Sequence, residues 1–190
     1  LLCFRDDAFA PFAATCVLGM IRLYGEHVSR ARAGVKKTMS GNKYEVALDE
    51  TWELFGQYMS GSRAGLCCAV SSEPLSETAA KALDSSLAAL GYGREACTYI
   101  VSGDLDQRAL FILIEGLDPI CIIAADGKSA ALLGQAYHLS LPSGKATRLL
   151  GRTAVSFLDF ESLLKTPQDK QIAWALLKKL PKFGDKRSQK

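Results

Sequence analysis

The chain has few histidines and no cysteine pair at the spacing of metal ligands. This limits the kinds of metal and catalytic site that it can form. Only 2 of the 190 residues are histidine. The 6 cysteines include no C-x-x-C pair, which argues against a zinc ribbon or a thioredoxin-like redox site. Most of these cysteines lie in apolar segments, as buried free thiols do. We therefore expect no metal site and no cofactor.

Long apolar runs and a basic leader are also missing. No run approaches the roughly 20 apolar residues that a membrane helix needs. The N-terminal stretch carries Asp6 and Asp7, where a secretory signal peptide would be positively charged. We therefore expect a cytoplasmic protein that makes no contact with a membrane.

Neither sign of charge is in large excess. The net charge is +3, and the chain is 48% hydrophobic and 23% charged, which is an ordinary globular composition. A mildly basic balance permits contact with nucleic acid without requiring it. Lysine and arginine are concentrated near the C-terminus, so residues 182–190 are predicted to form a solvated basic tail.

Residues 122–129, IIAADGKS, contain only the end of a phosphate-binding loop. The full motif needs a glycine five positions before Gly127, and that position holds Ile122. Because Ile122 belongs to an apolar run typical of a buried strand, no loop is left that could wrap phosphates. The segment instead predicts that Asp126 is the N-cap of a helix beginning at Gly127.

The remaining pattern predicts an α/β fold. Residues 1–62 show helical periodicity, including an amphipathic helix with apolar positions from Phe12 to Val28. Over residues 66–181, strand-like and helix-like segments alternate, which implies crossovers and a mostly parallel sheet. We predict a single domain over residues 1–190, a three-layer α/β/α arrangement with a central sheet of about four strands, preceded by N-terminal helices. A hairpin is expected around Pro142, with His138 in its first strand.

The α/β part resembles the uracil-DNA glycosylase superfamily. In the C-terminal signature of that family, a His-Pro-Ser loop leads into Leu-Leu-x-x-Pro, a lysine and an aromatic residue. The segment SFLDFESLLKTPQDKQIAWALLKKL matches this frame at Leu163, Leu164, Pro167, Lys170 and Trp174. Upstream, SSEPLSETAAKALDSSLAALGYGREACTYIVS and LIEGLDPICIIAADGKSAALLG resemble the first catalytic loop and a later helix-strand-helix segment, in the family's order. The resemblance covers about residues 66–180 and implies a DNA glycosylase-like domain.

The resemblance also locates the family's catalytic positions. Its first loop supplies an acid, at Ser72 here with Glu73 one residue later, and its second loop often supplies an asparagine that reads the base, at Val101 or Ser102 here. The histidine of the third loop falls on Asp159. A carboxylate at that position would repel the departing base anion that an imidazole stabilises.

These replacements lead to two main hypotheses and a third. The first is a glycosylase-like domain that does not catalyse and that binds nucleic acid or a protein partner. The second is an active glycosylase in which Glu73, Ser102 or Asp159 has taken over the chemistry. The third is an unrelated α/β domain that binds a small molecule at the strand ends. Whether the chain is an enzyme therefore stays open at this point.

Candidate DNA contacts are the basic residues expected around the third loop and the preceding hairpin, namely Lys145, Arg148, Arg152, Lys165 and Lys170. Neither His27 nor His138 is expected to replace the missing imidazole. Two branches of the family carry an iron-sulphur cluster, which needs four suitably placed cysteines. Cys67 and Cys68 are adjacent in a predicted strand and point to opposite faces, so no cluster is expected.

Overall fold

The computed structural model describes residues 43–183. The predicted helix from Phe12 to Val28, His27 and the basic tail beyond residue 183 lie outside the described residues. The described helices are α1 (Lys43–Phe55), α2 (Glu77–Ala89), α3 (Gln107–Leu117), α4 (Gly127–Ala136) and α5 (Pro167–Leu177). The strands are β1 (Met59–Gly61), β2 (Cys67–Ser71), β3 (Cys97–Val101), β4 (Cys121–Ala124), β5 (Ala146–Leu149) and β6 (Arg152–Ser156).

The six strands form one mixed sheet in the order β1-β3-β2-β4-β6-β5. The four central strands β3, β2, β4 and β6 are parallel, whereas β1 and β5 pair antiparallel at the two edges. The predicted α/β class is confirmed, but the sheet is mixed and has six strands, where a mostly parallel sheet of about four was predicted. Strand β1 lies within the region predicted to be helical, and its three residues are too few to show an alternating pattern.

The hairpin also differs from the prediction. Strand β5 pairs with β6 itself through a two-residue turn at Leu150 and Gly151, whose φ angles are 44° and 88°. His138 is not in a strand, because it follows the last turn of α4 with a left-handed φ of 53°. The apolar residues Tyr137, Leu139 and Leu141 occupy alternate positions, as in a half-buried strand, and this pattern led to the wrong prediction.

Helix starts agree with local sequence chemistry. The predicted N-cap is confirmed, since the Asp126 side chain accepts a hydrogen bond from the Ser129 N–H and completes a capping box. Helix α5 begins with Pro167 in its first turn, after the cap Thr166. These short-range contacts explain why the helices begin at the residues where they were predicted to begin.

Both faces of the sheet are buried. On one face, strand residues such as Cys67 and Ile123 pack against apolar side chains of α2 and α5, including Leu83 and Leu177. The alternate strand positions, such as Ile122, are equally inaccessible. Strands buried on both faces are expected to be apolar throughout, which is the pattern seen in β2 and β4.

The buried cysteines predict a loss of stability in alkaline solution. Cys67 and Cys121 are register partners on β2 and β4, and their sulphur atoms lie 2.8 Å apart. The hydrogen bond with Cys121 and burial raise the pKa of Cys67, and burial raises the pKa values of Cys68 and Cys97. The folded state therefore keeps protons that the unfolded state releases above the ordinary thiol pKa of 9.0.

We expect the contribution of these thiols to the free energy of unfolding to be constant below this value and to fall as the pH rises through it. We expect the free energy of unfolding to fall by up to roughly 1.4 kcal/mol per thiol for each pH unit. Urea unfolding under reducing conditions, from about pH 8 to about pH 9.5, measures this fall. A Cys68→Ala variant should show a shallower fall. Stability that does not change over this range would contradict the assignment of buried neutral thiols.

Candidate functional site

The loops with the predicted catalytic positions meet at one edge of the sheet. We call it the carboxyl edge, because the parallel strands β2, β3, β4 and β6 all end there, and we call the opposite side the amino edge. Strand β2 lies between β3 and β4, and β6 lies beside β4. In open sheets of this kind, ligands bind outside the carboxyl ends of the strands.

The loop after β2 is held by Asp126. Ser72 is half-buried, and its N–H donates to the Asp126 carboxylate at 2.6 Å. The other carboxylate oxygen of Asp126 accepts the Ser129 N–H at 2.8 Å. Glu73 is exposed and makes no hydrogen bond within the described range. Asp126 was identified from sequence only as a helix cap, because no local pattern reveals its contact with Ser72.

In the loop after β3, the candidate residue Ser102 is buried. Ser102 is 3% exposed, and its hydroxyl donates to the Ser71 carbonyl at 3.0 Å. The neighbouring Gly103 lies so close to the first loop that a Cβ there would be 2.7 Å from the Ser72 carbonyl oxygen. Ser102 therefore joins two loops and is not presented to a ligand.

In the third loop, which follows β6, carboxylates also accept hydrogen bonds from backbone N–H groups. Asp159 is exposed, and its side chain accepts the N–H of Ser162, the first residue of the short 3-10 turn that follows, at 3.1 Å. Glu161 accepts the Ser76 N–H at 2.6 Å, at the start of α2. Between these two residues, Phe160 is 1% exposed and packs edge-on against Phe157.

Carboxylates at the carboxyl edge thus accept hydrogen bonds from several backbone N–H groups of the same edge. Free N–H groups at helix starts and tight loops are the usual binding sites for phosphates and oxyanions. Here Asp126, Asp159 and Glu161 take up such donors. A ligand approaching the edge meets carboxylate oxygens, which repel an anion.

No imidazole compensates for this negative charge at the edge, as far as residues 43–183 are concerned. Helix α4 begins at the carboxyl edge and has 10 residues, which corresponds to a length of about 15 Å. His138 follows its far end. Over the same residues, no group of three or more histidine, cysteine or acidic side chains is arranged to hold a metal ion.

The structure divides the five candidate DNA contacts between the two edges. Arg148 pairs with Thr153, and Arg152 is the first residue of β6, so both arginines belong to the hairpin that precedes the third loop but lie at its amino-edge end. Lys145 precedes β5 on the side of the carboxyl edge, Lys165 follows the 3-10 turn, and Lys170 lies in α5. All three lysines are exposed and form no ion pair with another described residue.

Arg152 is also unavailable to a phosphate. Its side chain is 14% exposed, and its guanidinium donates to Glu115 at 3.1 Å and to Asp118 at 2.7 Å. Burial alone would lower the pKa of Arg152, but the hydrogen bonds with these two carboxylates outweigh it and raise that pKa. Arg152 therefore joins β6 to the end of α3, and its role in this structure is architectural.

Asp126 can be tested as the residue that holds the first loop. We expect Asp126→Ala to lower the free energy of unfolding by about 1–2 kcal/mol, because the variant loses the helix cap and leaves the Ser72 N–H unpaired. Chemical denaturation measures this loss. Asp126→Asn separates the two contacts, because asparagine is an equally good N-cap but its amide NH2 cannot accept the Ser72 N–H. An alanine variant as stable as the wild type would show that these contacts do not hold the loop.

Two further findings bear on the nature of the protein. No helix of the described part is both long enough and apolar enough to span a bilayer. Compared with known proteins, the chain matches no family model and has no significant match among curated proteins.

Proposed function

We propose that this chain is a glycosylase-like domain that binds nucleic acid without cleaving the N-glycosidic bond. The observation that carries the proposal is the saturation of the carboxyl edge by the chain's own carboxylates. Hydrolysis needs donors that stabilise the departing base anion and an open site for the flipped base. The donors at Ser72, Ser76 and Ser162 are instead bound by side chains of the same chain.

The topology supports the glycosylase-like part of the proposal. The resemblance requires the first, second and third loops to share one side of the sheet, and the loops after β2, β3 and β6 do so. Helices that cover both faces fit a three-layer α/β/α arrangement. Buried free thiols fit the reducing, cytoplasmic location that we propose with it.

Exposed lysines support the part of the proposal that concerns nucleic-acid binding. Lys145, Lys165 and Lys170 are exposed and have no acidic partner within residues 43–183. Exposed lysines bind phosphates without reading sequence, and such binding weakens steeply with salt. The acidic carboxyl edge between them disfavours insertion of a nucleotide there, which agrees with binding that is separate from catalysis.

The decisive experiment is a cleavage assay on single-stranded and duplex oligonucleotides carrying uracil, hypoxanthine or xanthine, with an active glycosylase as positive control. We expect no abasic product from the wild-type protein. Product from it would overturn the proposal in favour of the alternative, an active enzyme that uses Glu73 or Asp159. Product from Asp159→His alone would support the proposal, because it would show a glycosylase scaffold that lacks its imidazole.

The same oligonucleotides test the binding part. We expect the wild-type protein to bind them with an affinity that falls as salt is raised. If no binding is detected at low salt, the nucleic-acid part of the proposal is wrong, and a protein partner becomes the remaining hypothesis.

A further inference from the structure

A groove between α2 and α5 is lined by none of the predicted catalytic residues, although Phe160, next to Asp159, forms part of it. Its volume is about 270 Å³. The side chains of Phe160, Ala173 and Leu177 that line it are almost completely buried, so they form its floor. Trp174 lines the groove and is half-buried, with Lys170 and Thr78 as polar lining residues. The groove therefore combines an apolar floor, a half-buried aromatic ring and a cation.

The lysines of α5 flank this ring on both sides. Lys170 lies four residues before Trp174 and Lys178 four residues after it, so the three side chains share one face of the helix at steps of about 6 Å. The ammonium group of Lys178 lies over the Trp174 ring, 5.9 Å from its centre, so a base that stacks on this face would displace it. Both lysines are exposed and enter no ion pair among the described residues.

An aromatic platform between unpaired cations is the arrangement by which proteins hold single-stranded nucleic acid. Every base has a flat face that can stack on an aromatic ring, and the adjacent phosphates pair with lysine. Duplex DNA would not use this groove, because its bases are stacked on one another. An acidic peptide would satisfy the lysines but would leave the ring and the apolar floor without a flat partner.

We propose that this groove binds single-stranded nucleic acid, with one base stacked on Trp174 and the flanking phosphates on Lys170 and Lys178. This inference rests on the proposed function, since it names the surface and the form of the nucleic acid. It also moves the binding site from the carboxyl edge to the side of the sheet covered by α2 and α5.

Tryptophan fluorescence tests the stacking directly. The chain has 2 tryptophans, and the other one, Trp52, donates its indole N–H to the Arg63 carbonyl on a different part of the surface. In a Trp52→Phe background, Trp174 is the sole reporter. We expect oligo(dT) to quench its fluorescence and a matched duplex to leave it almost unchanged.

Two variants test the contacts by the anisotropy of a labelled oligo(dT). Trp174→Leu keeps an apolar side chain but removes the stacking face, and we expect it to weaken binding by at least about fivefold. The double variant Lys170→Glu, Lys178→Glu should weaken binding and flatten its salt dependence by about 0.7 per lost phosphate contact. Arg108→Glu with Lys128→Glu is the matched control, because both residues are exposed in the first turns of α3 and α4 and the net charge changes equally near the carboxyl edge. Its loss should be smaller.

The outcomes separate this inference from the proposed function. If the wild-type protein binds oligo(dT) but the Trp174 variant binds equally well and no quenching occurs, the groove assignment is wrong and the proposed function stands. A larger loss from the Arg108 and Lys128 pair than from the Lys170 and Lys178 pair would likewise return the binding site to the carboxyl edge. If the wild-type protein binds neither single strand nor duplex, both proposals fail.

Discussion

Arg152→Ala is expected to lower the free energy of unfolding by about 3–5 kcal/mol, the usual loss when one partner of a buried ion pair is removed. The side chains of Arg152 and Glu115 are each only 14% exposed. Without the guanidinium, the Glu115 carboxylate keeps the Tyr137 hydroxyl, which donates to it at 2.8 Å, but loses the positive charge that balances it. Urea denaturation of the purified variant measures the loss.

The neighbouring arginine on the same hairpin provides the control. Arg148 is exposed and donates only to the Gly151 carbonyl among the described residues, so Arg148→Ala should change stability by no more than about 0.5 kcal/mol. Replacing both Arg152 and Glu115 by apolar residues should recover part of the loss, because no uncompensated charge remains. An Arg152→Ala variant as stable as the Arg148→Ala variant would contradict the architectural role.

Phe160→Ala should lower the free energy of unfolding by about 3–5 kcal/mol. Phe160 is 1% exposed, and its ring centre lies 5.0 Å from that of Phe157 in an edge-on contact. Truncation leaves a cavity beneath α5 and removes this aromatic pair. Thermal and urea unfolding of the variant measure the effect.

Leu158→Ala is the matched control within the same loop. Leu158 is 75% exposed, so its truncation should change stability by no more than about 0.5 kcal/mol. Similar effects of the two substitutions would mean that the third loop does not anchor the core. The expected contrast would show that the third loop serves packing, as the burial of Phe160 indicates.

Several features of this protein follow from short stretches of its sequence. Uninterrupted apolar runs predicted the central strands, because a strand buried on both faces has no polar side to alternate with. Asp126 and Pro167 marked helix starts, since a cap acts on backbone groups within the next three residues. The same local chemistry excluded a phosphate-binding loop at residues 122–129. The edge strand β1 escaped prediction because it has only three residues. Strand β5 was predicted as one strand of a hairpin, but the segment around His138 was predicted as its partner instead of β6.

The candidate site depended on contacts that no local pattern contains. Ser72 and Asp126 are 54 residues apart, and Ser76 and Glu161 are 85 residues apart, so only strand order and register bring them together. Register likewise placed Arg152 beside Glu115 at the amino edge, where it cannot border the third loop. The sequence by itself determined which residue types are present and where most elements begin. The tertiary structure decided which carboxylates meet which backbone donors, because hydrogen bonds form according to distance in space and not along the chain.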